Sequence, residues 1–203
     1  MTQAIQRVLP LLLALAAALG PPARAQAPAA LAHPQPLRLL KGSDLWTIPD
    51  AALGQFVARG TFADQRLLWL VSGSGWPDDA LRTALVRPYG VDALALARFL
   101  DSPAGLAFLT RQSEAYRPLP ARSGLRDLRV VALRAAILAD AHDGSISALG
   151  IVRRLPVPLA LDLSGPGPMR CSDLPCEDPR QCRSVLSWLV FLPACLQAAT
   201  ASA

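Results

Sequence analysis

The chain is poor in the residues that carry most proton transfer and metal binding. It has two histidines, His33 and His142, in 203 residues. Neither stands at a metal-ligand spacing from other ligating residues, so no metal site and no cofactor is expected. Lysine occurs once, as Lys41, against nineteen arginines. With the abundance of alanine, that imbalance reads as GC-rich coding bias. Charged residues make up only 17% and the formal net charge is +5. Nucleic-acid binding calls for a concentrated basic stripe, so nucleic acid is excluded as a partner. Cysteine is absent before Cys171. The serine-hydrolase elbow is missing too. In Ser72-Gly73-Ser74-Gly75 no glycine stands two positions before Ser74, and the stretch lies between helical patterns instead of after a strand. With His33 in a leader and His142 at a helix end, no catalytic residues are assigned. If the chain is an enzyme, hydrolysis is the expected chemistry.

What is present begins with an export signal. Met1 to Arg7 is polar with one positive charge, Val8 to Leu19 is apolar, and Gly20-Pro21-Pro22 ends any helix. Ala23-Arg24-Ala25 has the small–any–small pattern of signal peptidase sites, so cleavage is expected between Ala25 and Gln26. The apolar run is interrupted by Pro10 and falls short of the roughly 20 residues needed to span a bilayer. Residues 1–25 therefore read as a signal peptide, and the protein as exported, periplasmic or extracellular. Residues 26–203, with a formal charge of +3, suit one domain with its own core.

Residues 26–36 are an Ala/Pro-rich leader. From Leu37 to Leu155 the pattern is mainly α, a compact bundle of six to seven short helices. Thr47 is expected to cap the first, with Ile48, Ala52, Phe56 and Val57 as its buried stripe and Gly60 as its stop. Phe62 to Val71 reads as the second, and Pro77 opens a third that stops at Arg87-Pro88. Asp92 caps a fourth. Ser102-Pro103 starts a fifth, which runs to about Tyr116 and is followed by a loop to Ser123. Gly124 to about Ala141 is the sixth, with Leu133, Ile137 and Leu138 expected at the centre of the core. Ser145 or Ser147 caps the seventh, which stops at Pro156. Val157 to Leu163 then switches to a strand-like pattern that cannot form a sheet alone.

Two stretches carry a resemblance. Arg98-Phe99-Leu100-Asp101-Ser102-Pro103-Ala104-Gly105 is one. Ala132-Leu133-Arg134-Ala135-Ala136-Ile137-Leu138-Ala139-Asp140-Ala141-His142-Asp143-Gly144, leading into Ile151-Val152-Arg153-Arg154-Leu155-Pro156, is the other. Over residues 37–163 the chain resembles the N-terminal helical domain of unknown function found before the catalytic core of cyanobacterial predicted alpha/beta hydrolases. The resemblance implies a cyanobacterial origin, with the periplasm or the thylakoid lumen as the location. It also implies an exported hydrolase domain as a partner. The chain departs from that pattern where the core would begin, since only forty residues follow the strand-like segment.

Those residues, 164–203, form an irregular Cys/Pro-rich tail in which Pro166, Pro168, Pro175 and Pro179 are expected to break any helix. Cys171, Cys176, Cys182 and Cys195 are disulfide candidates in an oxidising compartment, with three connectivities open, or free thiols. Their spacing matches no standard zinc site. Such bridges would staple the tail to itself. Val185 to Leu196 is strongly apolar and fits core packing, a membrane surface or an interface. The composition of the tail is also what out-of-frame translation of a GC-rich gene produces, so a frameshift remnant is a second reading.

Arg111, Arg117, Arg122, Arg126, Arg129 and Arg134 face only Glu114 and Asp127 in their stretch. Arg122, Arg126 and Arg129 share one helix face and are the anion-binding candidates; a solvated helix face is the alternative. Trp46, Trp69 and Trp76 fit a groove lining or core anchors with one wet edge. The functional expectation is an exported, non-catalytic binding, cap or interaction module. The alternatives are an accessory or truncated fragment of an exported hydrolase, and a peripheral protein on an anionic membrane surface.

Overall fold

Leu37 to Ile48 does not open the helical series. It folds into a hairpin of strands β1 (Leu37–Lys41) and β2 (Asp44–Ile48), with Leu37 opposite Ile48 and Lys41 opposite Asp44. Gly42, at φ 61°, takes the first place of the two-residue turn, where a positive φ is required and glycine meets no Cβ penalty. Leu37 and Leu39 alternate inward. The computed structural model describes residues 34–119, 126–164 and 179–201. The signal segment with Ala25 and Gln26, most of the leader, Arg122, Cys171 and Cys176 lie outside the described residues, as do the side chains of Arg126, Asp127, Pro179 and Cys182.

Because Thr47 pairs with Arg38 in the hairpin, helix α1 (Asp50–Arg59) starts behind Pro49 and not under a threonine cap. Gly60 closes it at φ 71°, its N–H donating to the Phe56 carbonyl. Helix α2 (Gln65–Ser72) starts later than Phe62 because Asp64 accepts from the Arg66 and Leu67 N–H groups at 2.8 and 3.2 Å. Helix α3 (Asp78–Val86) follows Pro77 and stops at Arg87-Pro88, and a short strand β3 (Tyr89–Gly90) comes next. Asp92 caps helix α4 (Ala93–Asp101), and Ser102 alone separates it from helix α5 (Pro103–Gln112). A 3-10 turn, Ser113–Ala115, then leads into strand β4 (Tyr116–Pro118), where the sequence reads as a helix end and a loop. Helix α6 (Arg126–Asp140) ends in the turn Ala141–Asp143 with Gly144 at φ 76°. Strand β5 (Ser145–Ile146) pairs with β3, and Ser147 caps helix α7 (Ala148–Arg153).

The strand-like segment finds its partners in strands from earlier in the chain. As strand β6 (Leu159–Asp162) it sits inside a four-stranded sheet of order β2-β1-β6-β4, parallel to β1 and antiparallel to β4. All four of its residues are buried, as suits a central strand, with the Asp162 carboxylate held by Arg117. Its partners β1 and β4 come from the start of the stretch read as helical and from a helix end with its loop, so no local pattern announces the sheet.

The tail is helical among its described residues. Pro179 stands at the first position of helix α8 (Pro179–Arg183), where a missing N–H costs nothing. Helix α9 (Val185–Val190) buries all six residues, and helix α10 (Leu192–Ala201) adds Leu192, Cys195 and Leu196. A helix that is apolar all round must be enclosed, and α9 packs against α3 and α7. It thus joins the core of Leu39, Phe56, Leu133, Ile137 and Leu161. Each fully buried large side chain there contributes about 1.5–3 kcal/mol. Leu138 is only partly buried, at the margin; the centre of α6 is Ala132, Leu133, Ala136 and Ile137.

Candidate functional site

Acyl transfer by a serine triad needs a hydroxyl, a base and an acid within hydrogen-bond reach. The buried serine hydroxyls are committed elsewhere: Ser113 Oγ donates to the Thr110 carbonyl at 2.7 Å. Ser74 Oγ donates to the Val71 carbonyl at 2.6 Å and accepts from the Trp76 N–H at 3.1 Å, which closes α2. Ser187 Oγ donates to the Gln181 carbonyl and accepts from Trp76 Nε1. With Gln181 Nε2 donating to the Gly75 carbonyl at 3.1 Å, this network ties the tail to the Ser-Gly-Ser-Gly stretch. His142 is 84% exposed at the end of α6, beside Asp143. Among the described residues no group of three or more His, Cys, Asp or Glu gathers as metal ligands.

The residues that carry the family resemblance have structural jobs. Ser102 Oγ accepts from the Gly105 N–H at 3.1 Å and donates to the Phe99 carbonyl at 2.7 Å. The chain bends by 86° at this point. A Cβ on Gly105 would lie 1.9 Å from the Phe99 carbonyl oxygen, so the tight α4–α5 corner requires glycine there. In the second stretch, buried Asp140 accepts from the Ser147 N–H at 2.8 Å and pairs with Arg154. Burial pushes its carboxyl up; the Ser147 N–H and Arg154 oppose this without cancelling it. Its carboxylate lies against Gly150, where a Cβ would meet Oδ1 at 2.2 Å. Arg153 reaches Asp50 through Nε at 2.6 Å and a terminal nitrogen at 3.2 Å, fixing α7 to the start of α1. These pairs escaped sequence reasoning. The Asp140-to-Gly150 and Arg153-Arg154 spacing was the only signal for them.

The arginine cluster divides along the same lines. Arg129 donates to the Ser113 and Tyr116 carbonyls at 3.3 Å, so it holds the end of α5 to β4. Arg117 bridges to Asp162 at 2.9 Å and Arg134 to Asp101 at 2.5 Å. Arg122 and the Arg126 side chain lie outside the described residues, as do Cys171, Cys176 and the Cys182 side chain. Cys195, a tail residue, is 5% exposed and packs within the core.

Two open clefts are lined by described residues. The larger, about 720 Å³, lies between Tyr89–Asp92 and α10. Its polar groups serve the fold: Gln197 Nε2 donates to the Gly90 carbonyl at 2.9 Å and Asp92 caps α4. The smaller, about 310 Å³, lies between α2 and the start of the tail helices and includes Trp69, Leu163, Arg180, Arg183 and Val185. Trp69 meets Trp46 edge to face at 4.9 Å, and Lys41 Nζ lies 4.2 and 5.4 Å from the two ring centroids. The tryptophans thus part company: half-buried Trp46 supports exposed Trp69 at one corner, whereas Trp76 packs on Phe191 in the tail.

Residues 46–162 match the family described as "Alpha/beta hydrolase of unknown function (DUF1400)". No curated protein and no solved structure matches the chain. The matched span covers α1 to α7 and reaches the end of β6, and it contains both stretches whose glycines, caps and ion pairs build the corners of the fold. By that match the chain belongs to the alpha/beta hydrolase family of unknown function.

Proposed function

We propose that this protein is an exported, non-catalytic accessory module of that hydrolase family, working beside an exported hydrolase domain. The observation that carries this reading is the commitment of the buried Ser74 and Ser187 hydroxyls to backbone and indole partners, with the described histidine exposed beside Asp143. No proton relay of the triad type is assembled from them. Purified protein assayed with short-chain esters should show no turnover above background. Reproducible hydrolysis abolished by a serine-directed inhibitor overturns the proposal.

Export rests on the three-part pattern of residues 1–25. Intact mass of protein from the exporting cell should place the N-terminus at Gln26, and a retained Met1 refutes it. In an oxidising compartment Cys195 pairs with another of the tail cysteines, a bridge within the tail that has one end buried in the core. Alkylation of all four thiols without reductant would contradict that pairing. The six buried residues of α9 favour a tail that belongs to the fold over a frameshift remnant. A hydrolase-like strand–Gly-x-Ser-x-Gly–helix in another frame downstream would reverse that judgement.

A further inference from the structure

We propose that the cleft between Trp69 and the tail helices binds a small amphiphilic anion, a carboxylate carried on an acyl chain or a ring. The cleft is concave and partly apolar, with Leu70, Leu163 and Val185 on its walls. Trp69, at 45% exposure, offers an indole surface that most proteins would cover. The indole is held in place before any ligand arrives: Trp46 packs against it edge to face and Lys41 sits over its ring. A wall fixed in advance spends little ordering entropy on binding. Exposed Arg183 lines the polar side of the cleft, and no carboxylate does among the described residues. A guanidinium matches a carboxylate through two parallel N–H donors, so the head group belongs at Arg183 and the apolar body on Trp69. At about 310 Å³ the cleft stands at the lower end of small-molecule sites, which restricts the ligand to a short chain or a single ring.

Calorimetric titration of the full chain with octanoate tests this, with octanol and inorganic phosphate as probes of the apolar and anionic halves. Octanoate should saturate one site. Octanol and phosphate should each bind at least about tenfold more weakly, since each forfeits one half of the contact. Raising salt from about 20 to about 200 mM should weaken octanoate and leave octanol unchanged, because only the charged contact is screened. Arg183→Gln, an exposed change, should cost octanoate about tenfold. Trp69→Leu should cost a similar factor, with its fold checked by circular dichroism. Absence of saturation, equal affinity for octanol and octanoate, or an Arg183→Gln variant that binds as well as the parent overturns the proposal. The salt comparison needs no variant, so it decides the matter even if Trp69→Leu unfolds.

Discussion

Replacing Gly150 by alanine tests whether the second family stretch is built around the Asp140 carboxylate. Inside a helix this substitution ordinarily stabilises by about 0.5–1 kcal/mol, because alanine loses less backbone freedom than glycine. Here the added Cβ would lie 2.2 Å from Oδ1, 2.5 Å from Oδ2 and 2.6 Å from Cγ of Asp140. Asp140 cannot step aside cheaply, since it is 7% exposed and holds both the Ser147 N–H and Arg154. Hydrogen bonds to a charged group contribute about 1.5–3 kcal/mol each. The Arg154 share must be discounted because that side chain is 43% exposed. Against the helix gain, the net expectation for Gly150→Ala is a loss of about 1–3 kcal/mol, read as a fall in Tm of roughly 2–4 °C per kcal/mol in urea-free thermal unfolding. A double-mutant cycle isolates the cause. In an Asp140→Ala background the clash is gone, so adding Gly150→Ala should cost nothing and recover about 0.5–1 kcal/mol. A Gly150→Ala variant more stable than the parent would refute the placement of Asp140 against α7.

Gly105→Ala should lose about 3 kcal/mol or more, because its Cβ would lie 1.9 Å from a backbone oxygen that cannot rotate away; chemical denaturation measures it. Ile137→Ala should cost about 2–5 kcal/mol and Leu138→Ala distinctly less, since Ile137 is fully enclosed and Leu138 is marginal; equal losses would mean the core is misplaced. Leu189→Asp puts a charge inside the fully buried α9 and should abolish cooperative unfolding of the whole chain, as followed by tryptophan fluorescence. Burial works against the Asp162 carboxylate, but the Ser164 N–H and Arg117 outweigh it and hold its carboxyl below the usual range. Its stabilisation is therefore present above a pH of about 4 and lost as pH falls through the depressed value. With Arg117 48% exposed, the amount should stay below about 1 kcal/mol. Asp140, raised, pulls the other way in acid, so the measurement is the difference between parent and Asp162→Asn stability curves from pH 2 to 6. A difference that grows towards acid would contradict the sign.

The helices were legible wherever the signal was local. Asp92, Ser102-Pro103, Pro77 and Gly60 mark boundaries because a cap or a stop needs only its own turn. The hairpin was not legible because Leu37-Arg38-Leu39-Leu40 suits a helix face nearly as well as a strand. The clefts were not legible at all. Trp69 and Arg183 are distant in sequence, and their common cleft exists only once the tail has returned to α2.

By itself, then, the sequence determined the helical class, the family of residues 46–162 and most helix ends, since propensity, capping and periodicity act within a few residues. Tertiary structure alone decided that β6 runs between β1 and β4 and that α9 completes the core. It also decided that Arg129 braces backbone carbonyls while Arg183 lines a cleft. The physical reason is common to all three. A strand is defined by its neighbours, an all-apolar helix by what encloses it, and an arginine by the acceptors that folding brings within reach.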